Sequence, residues 1–197
     1  MRIIRFFDFL FSFFGILFLL PFFAVIYLLI VLESKGGGFY FQTRVGKDGV
    51  DFKLMKFRTM MTGSDNKGLI TVGGRDARIT RIGYYLRRLK IDELPQLFNV
   101  LFGQMSLVGP RPEVRLFVDL YNSEQKKILA VKPGITDYSS IEYSNENEIL
   151  GAAADPHQKY IEEIMPRKIW LSMKYIQNPT VKEYFKIIFL TIKRIFN

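Results

Sequence analysis

The chain contains no cysteine and a single histidine, His157. The absence of cysteine excludes disulfide bonds, thiolate metal ligands and cysteine nucleophiles. With one histidine, a histidine-rich metal cluster is excluded, and a Ser-His catalytic pair is open only to His157. Because His157 follows Asp155 and Pro156 in a turn-like stretch, we interpret it as a surface-loop residue.

The composition limits the class of protein. A chain of 197 residues with 49% hydrophobic residues fits one modest domain with an appendage, and it is too apolar to be disordered. Its 28 lysines and arginines outnumber its 19 acidic residues, which gives a net charge of +9. This charge predicts an anionic partner, namely nucleic acid, an acidic membrane surface or a phosphorylated substrate.

One long apolar run lies near the N-terminus. No charged residue occurs from position 9 to position 32, and a helix needs about 20 apolar residues to cross the hydrocarbon core of a bilayer. Pro21 lies near the middle of the run, where it removes a backbone donor, so we expect a kink. Two geometries are open: a straight spanning helix, and a re-entrant helix that returns to the face it entered. Basic residues on both flanks mildly favour re-entry.

The rest of the chain has a mixed pattern. Three glycines at 36–38 end the helix, and alternating segments at 39–42 and 51–57 flank a turn at 46–49, which predicts a β-hairpin. Residues 62–77 are polar and glycine-rich, which predicts a mobile loop. Between 78 and 89, apolar residues recur at helical spacing with arginines between them. This basic amphipathic helix has either a solvated face or a face for anionic headgroups.

Asp92 and Glu93 begin a second helical pattern, with Pro95 in its first turn. Asp92 is well placed as the N-cap, where a carboxylate also interacts favourably with the helix dipole. A catalytic reading competes with this structural one, because an adjacent carboxylate pair can bind a metal ion or attack a phosphorus atom.

The segment 108–112 (VGPRP) predicts a rigid turn around Arg111. The flanking prolines fix the backbone φ angle on both sides of Arg111, and Gly109 permits a close backbone approach. A guanidinium held in this way suits a bidentate contact with phosphate. The second strand adds further cations, Lys53, Lys56 and Arg58. A carboxylate pair between two sets of cations predicts a site for a phosphorylated substrate.

Four stretches carry a resemblance to a known family. They are 56–60 (KFRTM), 92–101 (DELPQLFNVL), 106–112 (SLVGPRP) and 132–136 (KPGIT). Through them, nearly the whole chain resembles the bacterial sugar transferases, the monotopic phosphoglycosyl transferases that start glycan assembly on polyprenyl phosphate.

The resemblance implies a fold class. We expect an α+β protein with an N-terminal re-entrant membrane helix broken at Pro21, a small β-hairpin and amphipathic helices. Together these elements would form a compact domain at the membrane surface. The resemblance divides the chain into a membrane-anchoring helix at 1–35 and a catalytic domain at 36–197.

The resemblance also implies a reaction. Family members transfer a phosphosugar from a UDP-sugar to polyprenyl phosphate and release UMP. Asp92 matches the aspartate that attacks the β-phosphate and carries a covalent phosphosugar, and Glu93 matches the glutamate that helps to hold Mg²⁺. Lys56 and Arg111 are expected near the diphosphate, and Arg58 is a further candidate for phosphate binding. The implied location is the bacterial cytoplasmic membrane, in contact with phospholipid, with the site facing the cytoplasm.

Three positions depart from the family pattern. Leu20 precedes the proline where serine is common, Tyr138 lies in a DYSS segment where many members have Gly-Trp-Ala-Gln, and Ser172 aligns with a frequent aspartate. The latter two departures indicate a different donor sugar or a rearranged donor pocket.

Two further alternatives concern the C-terminal segment and the class of protein. Residues 184–196 fit either a buried core helix or an amphipathic helix that lies on a surface. A non-enzymatic, membrane-tethered module that binds nucleic acid or anionic lipid would explain the charge and the anchor. The carboxylate pair argues against this module, because it would repel a polyanion, and we therefore expect no nucleic-acid partner. A homodimer is compatible with the sequence, although no pattern argues for one.

Overall fold

The computed structural model describes residues 2–64 and 76–196 of the chain. This part of the chain mixes helices with two small sheets, as expected for an α+β fold. The helices are α1 (Arg2–Glu33), α2 (Arg81–Arg88), α3 (Gln96–Leu101), α4 (Arg115–Val118), α5 (Tyr138–Glu142), α6 (Glu146–Gly151), α7 (Pro156–Lys159), α8 (Met165–Gln177) and α9 (Val181–Phe196). The strands are β1 (Phe39–Val45), β2 (Asp51–Phe57), β3 (Ser106–Val108) and β4 (Gly134–Thr136).

The predicted hairpin is confirmed. β1 and β2 pair antiparallel, from Phe39 opposite Phe57 to Val45 opposite Asp51. The chain reverses through a 3₁₀ turn whose Gly49 has a φ angle of 75°, a conformation that glycine adopts without strain. Most of the loop predicted at 62–77 falls on residues 65–75, which lie outside the described residues.

A second, parallel pair joins β3 to β4, with Ser106 opposite Gly134 and Val108 opposite Thr136. The two backbones come very close just beyond the strands. A Cβ on Gly134 would lie 2.1 Å from the Gly109 nitrogen, and a Cβ on Gly109 would lie 2.6 Å from the Lys132 carbonyl oxygen. The close approach predicted at Gly109 is therefore confirmed, and it fixes the start of the turn that carries Arg111.

Helix α1 packs on the rest of the chain along its whole length. Its buried positions recur every three or four residues, apart from one interval of seven between Ile16 and Phe23 in which Leu19 is partly buried, so that one face is covered while the opposite face is exposed. The helix continues through Pro21 without interruption. The helix is therefore not interrupted at Pro21, where we expected a break. That it follows a re-entrant path through a membrane stays a prediction. Among the described residues, α1 is the one helix long and apolar enough to cross a membrane.

Polar side chains fasten the N-terminal half of α1. Arg5 donates hydrogen bonds to the carbonyl oxygens of Val100 and Leu101 at the end of α3, at 2.6 and 2.9 Å. Asp8 is only 2% exposed. Its Oδ1 accepts hydrogen bonds from Ser106 Oγ (3.0 Å), Leu107 N (2.9 Å) and Tyr184 Oη (3.0 Å). These bonds tie α1 to α3, β3 and α9.

The C-terminal end of α1 is fastened in the same manner. The Glu33 carboxylate accepts hydrogen bonds from the backbone nitrogens of Arg81 and Ile82, so it caps the N-terminus of α2. Arg58 extends from the end of β2 and donates to Ser34 and to the carbonyl oxygens of Gly36 and Gly37. The proposed boundary at residue 35 therefore lies inside a region of dense contacts, and the two-part division stays a prediction.

Three other expectations are resolved by the described residues. The basic amphipathic helix is present as α2, and Thr80 caps it by accepting a hydrogen bond from Gly83 N at 2.9 Å. His157 is exposed, as predicted for a surface residue, but it lies in the short helix α7 and not in a loop. Helix α9 combines both alternatives, because Tyr184 is fully buried whereas Phe189 is 66% exposed.

Replacing Asp8 with alanine should destabilise the fold. The change removes a buried carboxylate and leaves its donors unpaired, so we expect a loss of about 3–5 kcal/mol in the free energy of unfolding. The measurement is the thermal unfolding midpoint in detergent. Asp119→Ala, at an exposed aspartate, is the control, and an equal effect of the two changes would contradict the role assigned to Asp8.

Candidate active site

A 3₁₀ turn at Ile91–Glu93 carries the predicted carboxylate pair. Lys90 precedes it in the left-handed conformation, with a φ angle of 56°, and helix α3 begins only at Gln96. The interpretation of Asp92 as a helix N-cap is therefore wrong. Leu94 N bonds to Ile91 O, so the backbone is already helical where a cap should be extended, and no side-chain cap bond is formed there.

Glu93 lies between two cations. Lys56 Nζ is 3.0 Å from Glu93 Oε1, and Arg111 Nη1 is 3.0 Å from Glu93 Oε2. Arg111 Nη2 donates a second bond to Oε1, so the guanidinium grips the carboxylate as a fork. Three segments that are far apart in sequence meet here: β2, the turn before α3, and the turn after β3. The structure thus brings together Lys56, Glu93 and Arg111, as the sequence predicts.

Burial and these cations act in opposite directions on Glu93. Burial alone would raise the pKa of Glu93, but Arg111 and Lys56 outweigh it and hold that pKa well below its ordinary value. Burial lowers the pKa of Lys56, and the charge of Glu93 opposes that decrease. The group is therefore a charged triad in which Glu93 stays ionised.

Asp92 occupies a different environment. Its side chain is buried, with 8% of the residue exposed. Burial, followed by repulsion from Glu93, raises the pKa of Asp92 to about 6, while Lys56 and Arg87 oppose this increase. Two adjacent carboxylates thus have pKa values shifted in opposite directions. Asp92 is largely ionised at neutral pH, but nearby cations balance its negative charge only in part. Such a carboxylate suits the role of a nucleophile.

Arg58 does not join this group. Its guanidinium is buried and donates to the α1 end through Nε–Gly37 O (2.6 Å), Nη1–Ser34 Oγ (2.7 Å) and Nη2–Ser34 O (2.9 Å). These bonds occupy the side chain, so the arrangement does not support Arg58 as a phosphate ligand. Lys53 is also apart, since its Nζ bonds to Thr43 Oγ1 at the exposed face of the hairpin.

Asn99 is a functional residue that the sequence reasoning missed. Its Oδ1 accepts a bond from Met55 N at 2.9 Å, and its Nδ2 donates to Lys53 O at 2.8 Å. These bonds hold β2 against α3 and thereby set the distance between Lys56 and Glu93. The available signal was an asparagine inside a helix, where its propensity is low.

Tyr138 and Ser172, two of the positions that depart from the family pattern, lie in the same region of the fold. Asp137, 1% exposed, accepts hydrogen bonds from Ser172 Oγ, from Ser139 Oγ (2.7 Å) and from Ser140 N (2.8 Å). Tyr138 donates to Glu183 on α9. Both departures therefore belong to the contact of α5 with α8 and α9. The expected effect on the donor sugar stays a prediction.

The residues present fit Mg²⁺ together with a substrate. Among residues 2–64 and 76–196, no group of three or more acidic, histidine or cysteine side chains could hold a metal ion. Asp92 and Glu93 nevertheless supply hard oxygen donors, and Mg²⁺ usually binds through one or two carboxylates plus substrate phosphates. Both oxygens of Glu93 face cations in this structure, so a metal ion would share this carboxylate with them or displace one.

The profile of a known family, the bacterial sugar transferases, matches residues 1–197. The chain belongs to this family. The resemblance read from the four sequence stretches is thus confirmed.

Curated relatives point to the same group of enzymes. A UDP-N-acetylgalactosamine-undecaprenyl-phosphate N-acetylgalactosaminephosphotransferase of Aeromonas hydrophila is 41% identical over 170 residues, covering 85% of this chain and 37% of the relative. An undecaprenyl-phosphate glucose phosphotransferase of Komagataeibacter xylinus is 38% identical over 197 residues, covering 96% and 35%. A UDP-glucose:undecaprenyl-phosphate glucose-1-phosphate transferase of Escherichia coli (strain K12) is 35% identical over 180 residues, covering 87% and 35%. The chain spans only about a third of the length of these relatives.

Replacing Asp92 with asparagine should stabilise the protein at neutral pH. The pKa of Asp92 is raised from its ordinary value of 3.8 to about 6 in the folded state. Between these two pH values the folded state binds more protons than the unfolded state, so the free energy of unfolding falls as the pH rises through this range. Removing the charge should therefore raise the free energy of unfolding by up to about 3 kcal/mol at pH 8, and change it little at pH 3.5. Unfolding midpoints with a chelator present measure this difference. Equal gains at both pH values would contradict the assignment.

Proposed function

We propose that this chain transfers a phosphosugar from a UDP-sugar to polyprenyl phosphate, through a covalent intermediate on Asp92, with release of UMP. The observation that carries the proposal is the pairing of a buried, poorly neutralised Asp92 with the triad of Lys56, Glu93 and Arg111. Family membership and the printed names of the relatives support the same donor and acceptor.

In the first step, an Asp92 carboxylate oxygen attacks the β-phosphorus of the donor. The bond between that phosphorus and the bridging oxygen breaks, and UMP leaves with the electron pair. In the second step, a phosphate oxygen of the acceptor attacks the same phosphorus. The bond from phosphorus to Asp92 breaks, which regenerates the carboxylate and leaves a sugar diphosphate on the lipid. Each step exchanges one P–O bond for another, so atoms and charge balance.

Lys56 and Arg111 would serve the diphosphate. Without substrate, both cations are paired with Glu93. An entering diphosphate offers more negative charge than one carboxylate, so it can draw donors from both side chains while Glu93 keeps them in position. Glu93 would help to hold Mg²⁺, and the metal ion, when bound, would supply neutralisation of negative charge on phosphate.

We further propose a monotopic placement in the bacterial cytoplasmic membrane, with the site facing the cytoplasm. The packing of α1 supports the monotopic part of this placement. Ile4 and Asp8 contact the same folded body that Ile30 and Glu33 contact at the other end of the helix. A helix that crosses a bilayer has its ends on opposite faces, about 30 Å of hydrocarbon apart. The exposed face of α1 is strongly apolar, with Phe18 83% exposed and Leu32 74% exposed, which suits contact with phospholipid.

Asp92→Asn should abolish transfer while the protein stays folded. An amide is not a competent nucleophile in this step, so we expect product formation to fall by at least about a thousandfold. The assay measures UMP and lipid-linked sugar formed from a panel of UDP-sugars, undecaprenyl phosphate and Mg²⁺. Asp119→Asn, at an exposed position, should keep full activity. Full activity of the Asp92→Asn protein would refute the role of Asp92 as the nucleophile. A direct, one-step transfer between donor and acceptor would then be the remaining mechanism.

Arg111→Lys should lower kcat/KM for the donor by about 10- to 100-fold. Lysine keeps the charge but loses the two-pronged contact, and a charge-assisted hydrogen bond contributes about 1.5–3 kcal/mol. The matched control is Arg115→Lys, because Arg115 is an exposed arginine paired with Asp51. Unchanged donor kinetics in Arg111→Lys would show that the fork does not contact the diphosphate.

A further inference from the structure

Two cations converge at the C-terminal end of α3. Gly103 follows α3, and a Cβ built on it would lie 3.3 Å from Arg5 Nη2 and 3.4 Å from Lys132 Nζ. Gly103 has a φ angle of 81°, so glycine is the residue suited to this position. Because it has no side chain, both cationic groups can approach the same backbone position closely.

The charge of this pair is poorly balanced. Arg5 donates to two backbone carbonyl oxygens, and among the described residues Lys132 Nζ has no hydrogen-bond or ion-pair partner. Burial and the nearby Arg5 lower the pKa of Lys132, and Lys47 acts in the same direction. Asp8 is the carboxylate that opposes them, and it already accepts hydrogen bonds from neutral donors. Two positive charges held close together in this way favour the binding of an anion between or beside them.

The surroundings of the pair are apolar and exposed. Phe102, next to Gly103, is 74% exposed, and Phe6, next to Arg5, is 59% exposed. Ile3, two residues before Arg5, is 57% exposed. A ligand at this place therefore meets cationic donors and apolar side chains together, which is the chemistry of a phosphate carried by a hydrocarbon chain.

We propose that Arg5 and Lys132, the two cations beside Gly103, bind the phosphate of an anionic phospholipid headgroup of the surrounding membrane. Neither Arg5 nor Lys132 forms a hydrogen bond or an ion pair with Asp92, Glu93 or Arg111 among the described residues. The lipid site rests on the membrane placement of α1 proposed above and does not depend on the transfer reaction. Bound lipid would fix the depth and orientation of the N-terminal end of α1.

The test counts lipids retained by the purified full chain in detergent micelles, using native mass spectrometry. The probes are phosphatidylglycerol, phosphatidylcholine and undecaprenyl phosphate, with inorganic phosphate as a competitor. Lys132→Gln removes one charge, Lys132→Arg keeps it, and Lys126→Gln removes a charge from an exposed lysine elsewhere. Thermal midpoints establish that each variant is folded.

We expect the wild type and Lys132→Arg to retain phosphatidylglycerol in preference to phosphatidylcholine. Lys132→Gln should weaken that preference about fivefold, since one basic residue near an anionic surface is worth about 1 kcal/mol, and Lys126→Gln should not. Inorganic phosphate should reduce retention by the wild type, a result that stands even if Lys132→Gln fails to fold.

Three results would overturn the proposal. They are equal retention of both phospholipids by the wild type, equal losses in Lys132→Gln and Lys126→Gln, and displacement of phosphatidylglycerol by undecaprenyl phosphate with a raised KM for the acceptor in Lys132→Gln. The last result would place the acceptor here. Flotation with vesicles of phosphatidylcholine alone tests the membrane placement separately, because its failure would remove the basis of the site while leaving the transfer reaction testable in detergent.

Discussion

The contact of Glu93 with Lys56 and Arg111 is the interaction on which the candidate site depends. A buried carboxylate is costly unless it is paired and hydrogen-bonded. Here the two cations meet that requirement, with Nζ and Nη1 each 3.0 Å from a Glu93 oxygen. Within the part of the chain that the structure describes, Asp92, the neighbouring carboxylate, has no comparable ion-pair partner. One ion-paired group and one reactive group therefore arise from adjacent residues.

Helix α1 contributes to the same arrangement through its polar side chains. Several polar contacts of α1 reach elements that carry or adjoin the site. Arg5 bonds to the end of α3, Asp8 to β3, and Glu33 to the start of α2, while Arg58 reaches α1 from the end of β2. The apolar face that suits a bilayer and the polar contacts that fix the site thus lie on one helix, and in the proposed membrane placement this brings the chemistry close to the membrane surface.

Much of this arrangement follows from local sequence. The hairpin is predictable because alternation has a period of two residues, and the close approach at Gly109 is predictable because the turn beside it contains two prolines. Arg58 illustrates the limit. Lys56 and Arg58 are two residues apart, so they share a face in a continuous strand. β2 ends at Phe57, and beyond that point the chain turns Arg58 towards α1.

Asp92 shows a second limit. An acidic residue followed by a proline three positions later predicts a helix cap, but this prediction rests on local propensity alone. The left-handed Lys90 starts helical geometry earlier than that pattern implies. The bonds of Asn99 to β2, which hold Lys56 near Glu93, join residues more than forty positions apart in the chain. The low helical propensity of asparagine marks the residue as unusual, but it does not indicate which strand the residue contacts.

The most direct test of the central claim is the intact mass of the purified protein after exposure to UDP-sugars and Mg²⁺ without a lipid acceptor. The account predicts an added phosphosugar mass on the wild type, absent from Asp92→Asn, with one UMP released per adduct. UMP release and lipid-linked product on adding acceptor, with no adduct detectable at any time before it, would contradict a covalent intermediate on Asp92.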